Sequence, residues 1–439
     1  MTLGRPRVAA LAGFNGWRAL RHRNYRLFFG GQLVSLVGTW MQQLAQGWLV
    51  LQLTNDPLAL GVVAAAQFLP VLVFGLFGGI LADALPKRRT LIGAQAVAML
   101  LAFALFGLSA AGVVEVWHVL VLALLLGCTN AVDMPTRQAF AVEMVGREDV
   151  GNAIALNSAL FNMARIVGPA IGGLTIGAFG IPVAFLLNGI SFLAVIVAYL
   201  MMRDAELHLP PTPTRPGSIG EVVEHLAEGL AYVRRTGIVL MAILMIAVVA
   251  TFAMNFTVLL PPLARDVLGL DATGFGFLMS AMGLGSLTAA LGIAFAGRTG
   301  PRVIVAGAFA LGVFQIVLGL SRSFPLSMVA IYLAGFGAIA MAATANTVIQ
   351  LTVPDRLRGR VMSVYTTVFA GSTPVGGVLV GAVASGFGTP VAIVVGGVAS
   401  IAAAIGAGLW LRRGLGDTPL EAGPGESAPV VALTHGRPR

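Results

Sequence analysis

Long apolar runs follow one another along nearly the whole chain, separated by short polar turns. A helix needs about 20 apolar residues to cross the hydrocarbon of a bilayer. The pattern therefore predicts spans at 27–53, 58–82, 90–112, 117–141, 152–177 and 183–202. A second set follows at 238–263, 273–297, 302–321, 326–350, 361–386 and 390–411. The polar stretch between the sets opens with Leu209-Pro-Pro-Thr-Pro-Thr-Arg-Pro, a linker that cannot be helical. It then places Val222, Leu226, Leu230 and Val233 at helical spacing opposite Glu221, Glu224 and Glu228. That is an amphipathic helix suited to the inner membrane surface. The expected organisation is a cytoplasmic arm (1–26), a six-helix bundle (27–203), a cytoplasmic linker (204–237), a second six-helix bundle (238–412) and a disordered cytoplasmic tail (413–439). The fold class is an all-α membrane protein.

Composition agrees. The chain is 57% hydrophobic and 10% charged, with mean hydropathy +0.91, whereas soluble domains are about 25% charged. The net charge of +9 does not imply a nucleic-acid partner, because the cations sit in short loops between apolar runs. Lys87, Arg88 and Arg89, then Arg147, Arg203 to Arg235, Arg298 with Arg302, Arg356 to Arg360 and Arg412 with Arg413 fall on one side. Only Arg265 and Arg322 fall on the other. The positive-inside rule puts the first side, and both termini, in the cytoplasm. The N-terminus does not read as a cleavable signal, since its apolar patch Val8–Phe14 is too short. A single cysteine, Cys128, excludes a disulfide framework, and five scattered histidines give no metal-ligand spacing. No phosphate-binding loop is present, so direct ATP drive is not expected. No cofactor and no enzyme chemistry are indicated.

A shift of about 208 residues aligns Gly151 with Gly359, Phe161 with Phe369, Gly168 with Gly376 and Gly173 with Gly381, in the fifth and eleventh spans. That is where a duplicated six-helix unit would place them. Between the second and third spans lies a charged elbow, Gly79-Ile-Leu-Ala-Asp-Ala-Leu-Pro-Lys-Arg-Arg. Gly79, Leu81, Asp83, Lys87 and Arg88 resemble the loop signature of the major facilitator superfamily, with Ala84 and Pro86 departing from it. Arg165-Ile-Val-Gly-Pro-Ala-Ile-Gly-Gly, holding Gly168, Pro169, Gly172 and Gly173, resembles the helix-five motif of drug–proton antiporters. Asn24-Tyr-Arg-Leu-Phe-Phe-Gly-Gly-Gln, Asp133-Met-Pro-Thr-Arg-Gln-Ala-Phe and Pro354-Asp-Arg-Leu-Arg-Gly-Arg-Val-Met-Ser are similar to the enterobactin-exporter and macrolide-efflux branch, the transmembrane secretion effectors.

The resemblance implies a monomeric inner-membrane exporter of a small amphipathic solute, working by alternating access with protons as coupling ion. An uncoupled or importing facilitator, and a non-transporting scaffold or sensor, are the rival readings. The resemblance also implies that Asp83 pairs with Lys87 and with the start of helix eleven, latching the halves on the inside. Glu143 is a further partner for Lys87 or Arg88. Independently of resemblance, Asp133, Arg137 and Arg165 lie well inside spans, where ionisable groups are costly and usually functional. They form either a structural ion pair or a proton site at Asp133 tuned by Arg165 or Arg137. Gln32, Ser35, Thr39, Gln42 and Gln46 make a polar stripe on the first span, which cannot face lipid cheaply. The expectation is a cavity between the halves lined by Gln32, Thr39, Gln42, Gln46, Asn255, Asn346 and Gln350. Hydrogen bonding between helices is the alternative.

Overall fold

The computed structural model describes residues 16–208, 219–296 and 300–413, without the side chains of 76–84, 219, 221–223, 225 and 296. The proline-rich linker, the tail, Arg298 and the side chains of Val222 and Glu221 lie outside the described residues. So does the Asp83 carboxylate; Gly79 and Asp83 are placed only as helical backbone.

The helices are α1 (Arg23–Thr54), α2 (Pro57–Ala84), α3 (Lys87–Ala110), α4 (Val116–Phe179), α5 (Ile181–Leu200), α6 (Ile219–Arg235) and α7 (Gly237–Phe252). They continue with α8 (Phe256–Pro262), α9 (Ala272–Ala296), α10 (Pro301–Leu320), α11 (Phe324–Thr352), α12 (Asp355–Phe387) and α13 (Thr389–Arg412). Among the described residues, ten helical stretches are long and apolar enough to cross a membrane. The polar stripe keeps α1, 32 residues long, outside that set. α4 bends at Gly146 and crosses twice. The fold is thus an all-α membrane bundle of about twelve traverses.

Two predicted spans are joined in α4, as arms 116–145 and 147–179. Gly146 turns the chain with φ 71° and ψ 176°, a region essentially reserved for glycine. The His208 backbone N–H donates to Glu143 O at 2.8 Å, satisfying a carbonyl freed by the bend. The predicted span 238–263 is interrupted between α7 and α8. Asn255 donates its side-chain amide to Ala250 O and Thr251 O, at 3.1 and 2.7 Å, and so holds the break. Pro261 and Pro262, which lack N–H groups, close α8.

The repeat is visible in the packing. Gly168 brings the second arm of α4 against Trp40 and Val37 of α1. Gly376, 208 positions later, brings α12 against Thr251 of α7. Gly173 meets Ala272 of α9 in the other half, and Gly381 meets Pro57 and Leu58 of α2. α4 and α12 also end alike, at Gly180 (φ 83°) and Gly388 (φ 90°), each followed two residues on by proline. Equivalent residues thus make equivalent contacts, within a half and across the seam.

The described contacts across the seam gather towards the arginine-poor end. A Cβ on Gly61 would lie 2.2 Å from Gly377 O. Ser280 Oγ donates to Ile166 O at 2.6 Å, and Arg265 Nη1 donates to Leu51 O at 3.0 Å. Trp48 stacks on Phe275 with ring centres 5.8 Å apart. Small residues permit this approach because lipid supplies no hydrophobic drive and packing must come from close contact.

At the arginine-rich end, α6 packs on the start of α12, with Gly229 against Arg360 O and an ion pair between Glu228 and Arg360. α6 is therefore docked on the bundle. Its Val233 is fully buried, while Leu230 stays exposed.

Candidate functional site

The polar stripe of α1 points into the N-terminal half itself. Gln32, Ser35, Gln42 and Gln46 are buried. With Thr39 and Gln43 they line a cavity of about 90 Å³ closed by Gln67 of α2, Gln95 of α3, Asn130, Asp133 and Arg137 of α4, and Asn188 of α5. Gly38 lets α5 approach, since a Cβ there would lie 2.5 Å from the Asn188 and Ser191 side chains.

Asp133 lies on the wall of this cavity and anchors its hydrogen bonds. Its Oδ2 pairs with Arg137 Nη2, one helical turn along the same arm, and its Oδ1 accepts from Gln95 Nε2 at 2.9 Å. Arg137 Nη1 donates onward to Gln32 Oε1 at 3.3 Å, and Gln32 Nε2 reaches the Tyr199 hydroxyl at 3.5 Å. Asn188 Nδ2 donates to Gln42 Oε1 at 2.6 Å, and Gln46 Nε2 to Gln67 Oε1 at 3.3 Å. A buried carboxylate is tolerable when paired and hydrogen-bonded, and both conditions hold here. A polar cavity of this size is large enough to hold water.

The expected cavity between the halves, with Gln42, Gln46 and Asn255 on its wall, is not what these residues form. Asn255 is buried and occupied with its own helix break. Asn346 and Gln350 pair with each other on α11, Gln350 Nε2 to Asn346 Oδ1 at 2.5 Å. Nor does Arg165 meet Asp133, whose oxygens are taken by Gln95 and Arg137. Helical spacing shows which residues share a face and leaves open which neighbour that face meets. Gln95, Gln67, Asn188 and Tyr199 belong to the network and were not singled out from the sequence. Their signal was there: Gln95 and Asn188 are isolated amides in otherwise apolar runs.

The described contacts of the elbow are local to the N-terminal half. Lys87 Nζ meets Glu143 Oε1 at 2.8 Å, tying α3 to the first arm of α4. Arg88 caps the end of α5, donating to Tyr199 O at 2.7 Å and Leu200 O at 2.9 Å, and pairs with Asp204 at 2.6 Å. A cation there complements the negative end of the helix. Outside its own stretch of helix, no described atom lies within 4 Å of where a Cβ on Gly359 would sit.

The other two motifs are braces at the same end. Asn24 exchanges bonds with the Arg203 backbone, at 2.9 and 3.0 Å, and the Tyr25 hydroxyl donates to Ala153 O at 2.9 Å. Arg18 and His22 converge on Asp149, at 3.0 and 2.9 Å. The His22 hydrogen bond, reinforced by Arg18 and Arg21, holds the Asp149 carboxyl below its usual range. Arg358 pairs with Asp355 at 2.5 Å and donates to Gln350 O at 3.0 Å, joining α12 to the end of α11. Of the helix-five motif, Gly168 and Gly172 pack on α1, while Gly173 and the Pro169 carbonyl meet α9.

Comparison with known proteins accords with this architecture. Residues 14–417 match the family model described as transmembrane secretion effector. The chain is similar to the multidrug efflux pump Tap of Mycolicibacterium fortuitum, 32% identical over 371 residues, covering 81% of this chain and 88% of that one. It is similar to the staphyloferrin A transporter of Staphylococcus aureus, 22% identical over 371 residues, covering 83% and 90%. Among solved structures, a bacterial homologue of the human lysosomal transporter Spinster, inward-facing and unoccupied, superposes with TM-score 0.72 at 13% identity, covering 91% and 99%. That last likeness speaks to the fold. Taken with the repeat and the sealed glycine seam, the match over nearly the whole chain shows that this protein belongs to the transmembrane secretion effectors, membrane transporters of the major facilitator superfamily.

Proposed function

We propose that this protein exports a small amphipathic solute, a drug, a siderophore or a related metabolite, across the bacterial inner membrane by alternating access, in exchange for protons. The arginine-rich loops and both termini lie in the cytoplasm, as the positive-inside rule requires. The efflux and siderophore transport named for the relatives support the cargo class.

The observation that carries proton exchange is the buried Asp133–Arg137 pair on the wall of a polar cavity. Protonating Asp133 removes the charge that holds Arg137, and so weakens both the Gln95 bond to Asp133 from α3 and the Arg137 bond to Gln32 of α1, which belong to one network. One proton thereby changes how three helices of the N-terminal half grip each other. The seam closed at the arginine-poor end supports a cycle in which cargo enters from the cytoplasm.

Everted vesicles test this directly. Uptake of a substrate of the wild type should require an imposed pH gradient, acid inside. In Asp133→Asn the gradient should cease to matter while the protein still reaches the membrane. Uptake by the wild type at the same rate without a gradient overturns proton exchange.

A further inference from the structure

The second arm of α4 carries a charge that the network above does not use. Arg165 makes no hydrogen bond or ion pair with any described residue, and its Nε and Nη2 are shut off from solvent. Asp133, the carboxylate nearest mid-span in the described residues, already serves Arg137 and Gln95. Among the described residues, Arg165 is therefore an uncompensated guanidinium well inside a span. An unpaired charge at this depth is costly, and such residues in transport proteins mark substrate paths.

Its position is specific. Ile154, Ser158, Phe161, Arg165, Gly168, Gly172 and Ile176 recur at three- and four-residue spacing and share one helix face. Towards the arginine-poor end this face is sealed: Gly168 and Gly172 touch α1, and Ile176 is buried. Towards the arginine-rich end it opens, with Ile154 58% and Phe161 46% exposed. Arg165 stands where closed passes to open. It is flanked by α9 of the other half, whose Gly283 approaches the Arg165 carbonyl and whose Ser280 bonds Ile166 O. Beside it, Trp40 and Phe161 form an edge-to-face pair at 5.6 Å. Nearby hydroxyl and amide groups are spent on their own backbone: Ser158 on Ile154 O, Asn162 on Ser158 O and Thr39 on Ser35 O. The guanidinium alone is left to recognise a charged group.

We infer that Arg165 binds a carboxylate on the cargo, whose apolar body rests against Trp40 and Phe161 where this helix face passes from sealed to exposed. The inference rests on the exporter reading for the word cargo, and makes the transported solute an amphipathic organic anion. Arg165 Nη1, which is not shut off as Nε and Nη2 are, can donate to a carboxylate oxygen, and in this apolar setting that charge-assisted bond is stronger than in water. An aromatic pair next to it supplies flat apolar surface for the remainder of the molecule. Being on the seam, a bound anion would draw α1, α4 and α9 together, which links cargo to the state of the halves.

The test is binding of a matched pair, rhodamine B with its free carboxylate and the ethyl ester of the same dye, to purified protein in nanodiscs, read by fluorescence anisotropy. The wild type should bind the acid about tenfold or more tighter than the ester, the value of a charge-assisted bond. Arg165→Gln should lose that preference by weakening the acid and leaving the ester unchanged. Arg165→Lys should keep part of it, since the charge survives on a shorter reach with different donor geometry. Equal affinity of the two dyes in the wild type, no binding of the acid, or an unaltered preference in Arg165→Gln would each overturn the inference. The wild-type comparison needs no variant to fold. Export is scored separately in everted vesicles: a protein that binds the acid selectively and never transports it fails as an exporter and keeps the anion site. Transport with no preference for the acid fails the anion site alone.

Discussion

A methyl group added at Gly61 is the sharpest probe of the seam. The Cβ of Gly61→Ala would lie 2.2 Å from Gly377 O and 2.7 Å from Gly377 C, backbone atoms that no rotamer change can move aside. To restore ordinary contact, α2 and α12 must part by at least ~1 Å. Overpacking of this kind costs about 1–3 kcal/mol. The cost falls only on the state closed at the arginine-poor end, so the ratio of sealed to open molecules should fall by roughly 5- to 150-fold. The helix itself gains, because alanine is favoured over glycine within a helix by up to about 1 kcal/mol, so the protein should still fold. Spin labels at Leu53 and Phe387, both exposed at that end of opposite halves, report the change once Cys128 is replaced by serine. Pulsed dipolar distances should lengthen in Gly61→Ala and stay at the wild-type value in Gly75→Ala, where no described atom lies within 4 Å of the new Cβ. Coincident distance distributions for Gly61→Ala and the wild type would refute the argument that this contact holds the seam shut.

Other outcomes follow from local geometry. Gly146→Ala forces a side chain into φ 71°, 3.3 Å from the His208 ring, and should cost about 1–3 kcal/mol in thermal or denaturant unfolding. Lys87→Ala strands the buried Glu143 carboxylate and should destabilise by about 2 kcal/mol. The double variant with Glu143→Gln should cost less than the sum of the two singles in the same melts. Asp149 has a folded value lowered from 3.8 by the His22 hydrogen bond and by Arg18 and Arg21. Its hold on the N-terminal segment is therefore complete above about pH 4 and is lost as pH falls further, as carboxylate linkage requires. A spin label at position 17 should become mobile only in that acid range, and at neutral pH in Asp149→Asn.

The elbow, the stripe and the motifs divide what could be read early from what could not. The number of traverses, the two-fold repeat and the charge asymmetry of the loops follow from local sequence, because a bilayer imposes one length and one burial rule on every span. The same rule requires Gln32, Gln42 and Gln46 to turn inward, and the i, i+4 spacing of Asp133 and Arg137 suffices to pair them. Helical spacing does not say which neighbour an inward face meets. Rotation of α1 about its axis, set by Gly38 against α5 and by Gly168 and Gly172 of α4, decides that its amides meet Gln67 and Asn188 and not Asn255. Packing also separates two arginines that looked alike in the sequence. Arg137 has a carboxylate in its own helix, whereas Arg165, a helix arm away, is carried to the seam and left without one. The sequence by itself determined that charges are buried in the spans. Only the tertiary structure decided which of them are paired, because a partner across the bundle is chosen by helix rotation and close packing, which spacing along the chain does not encode.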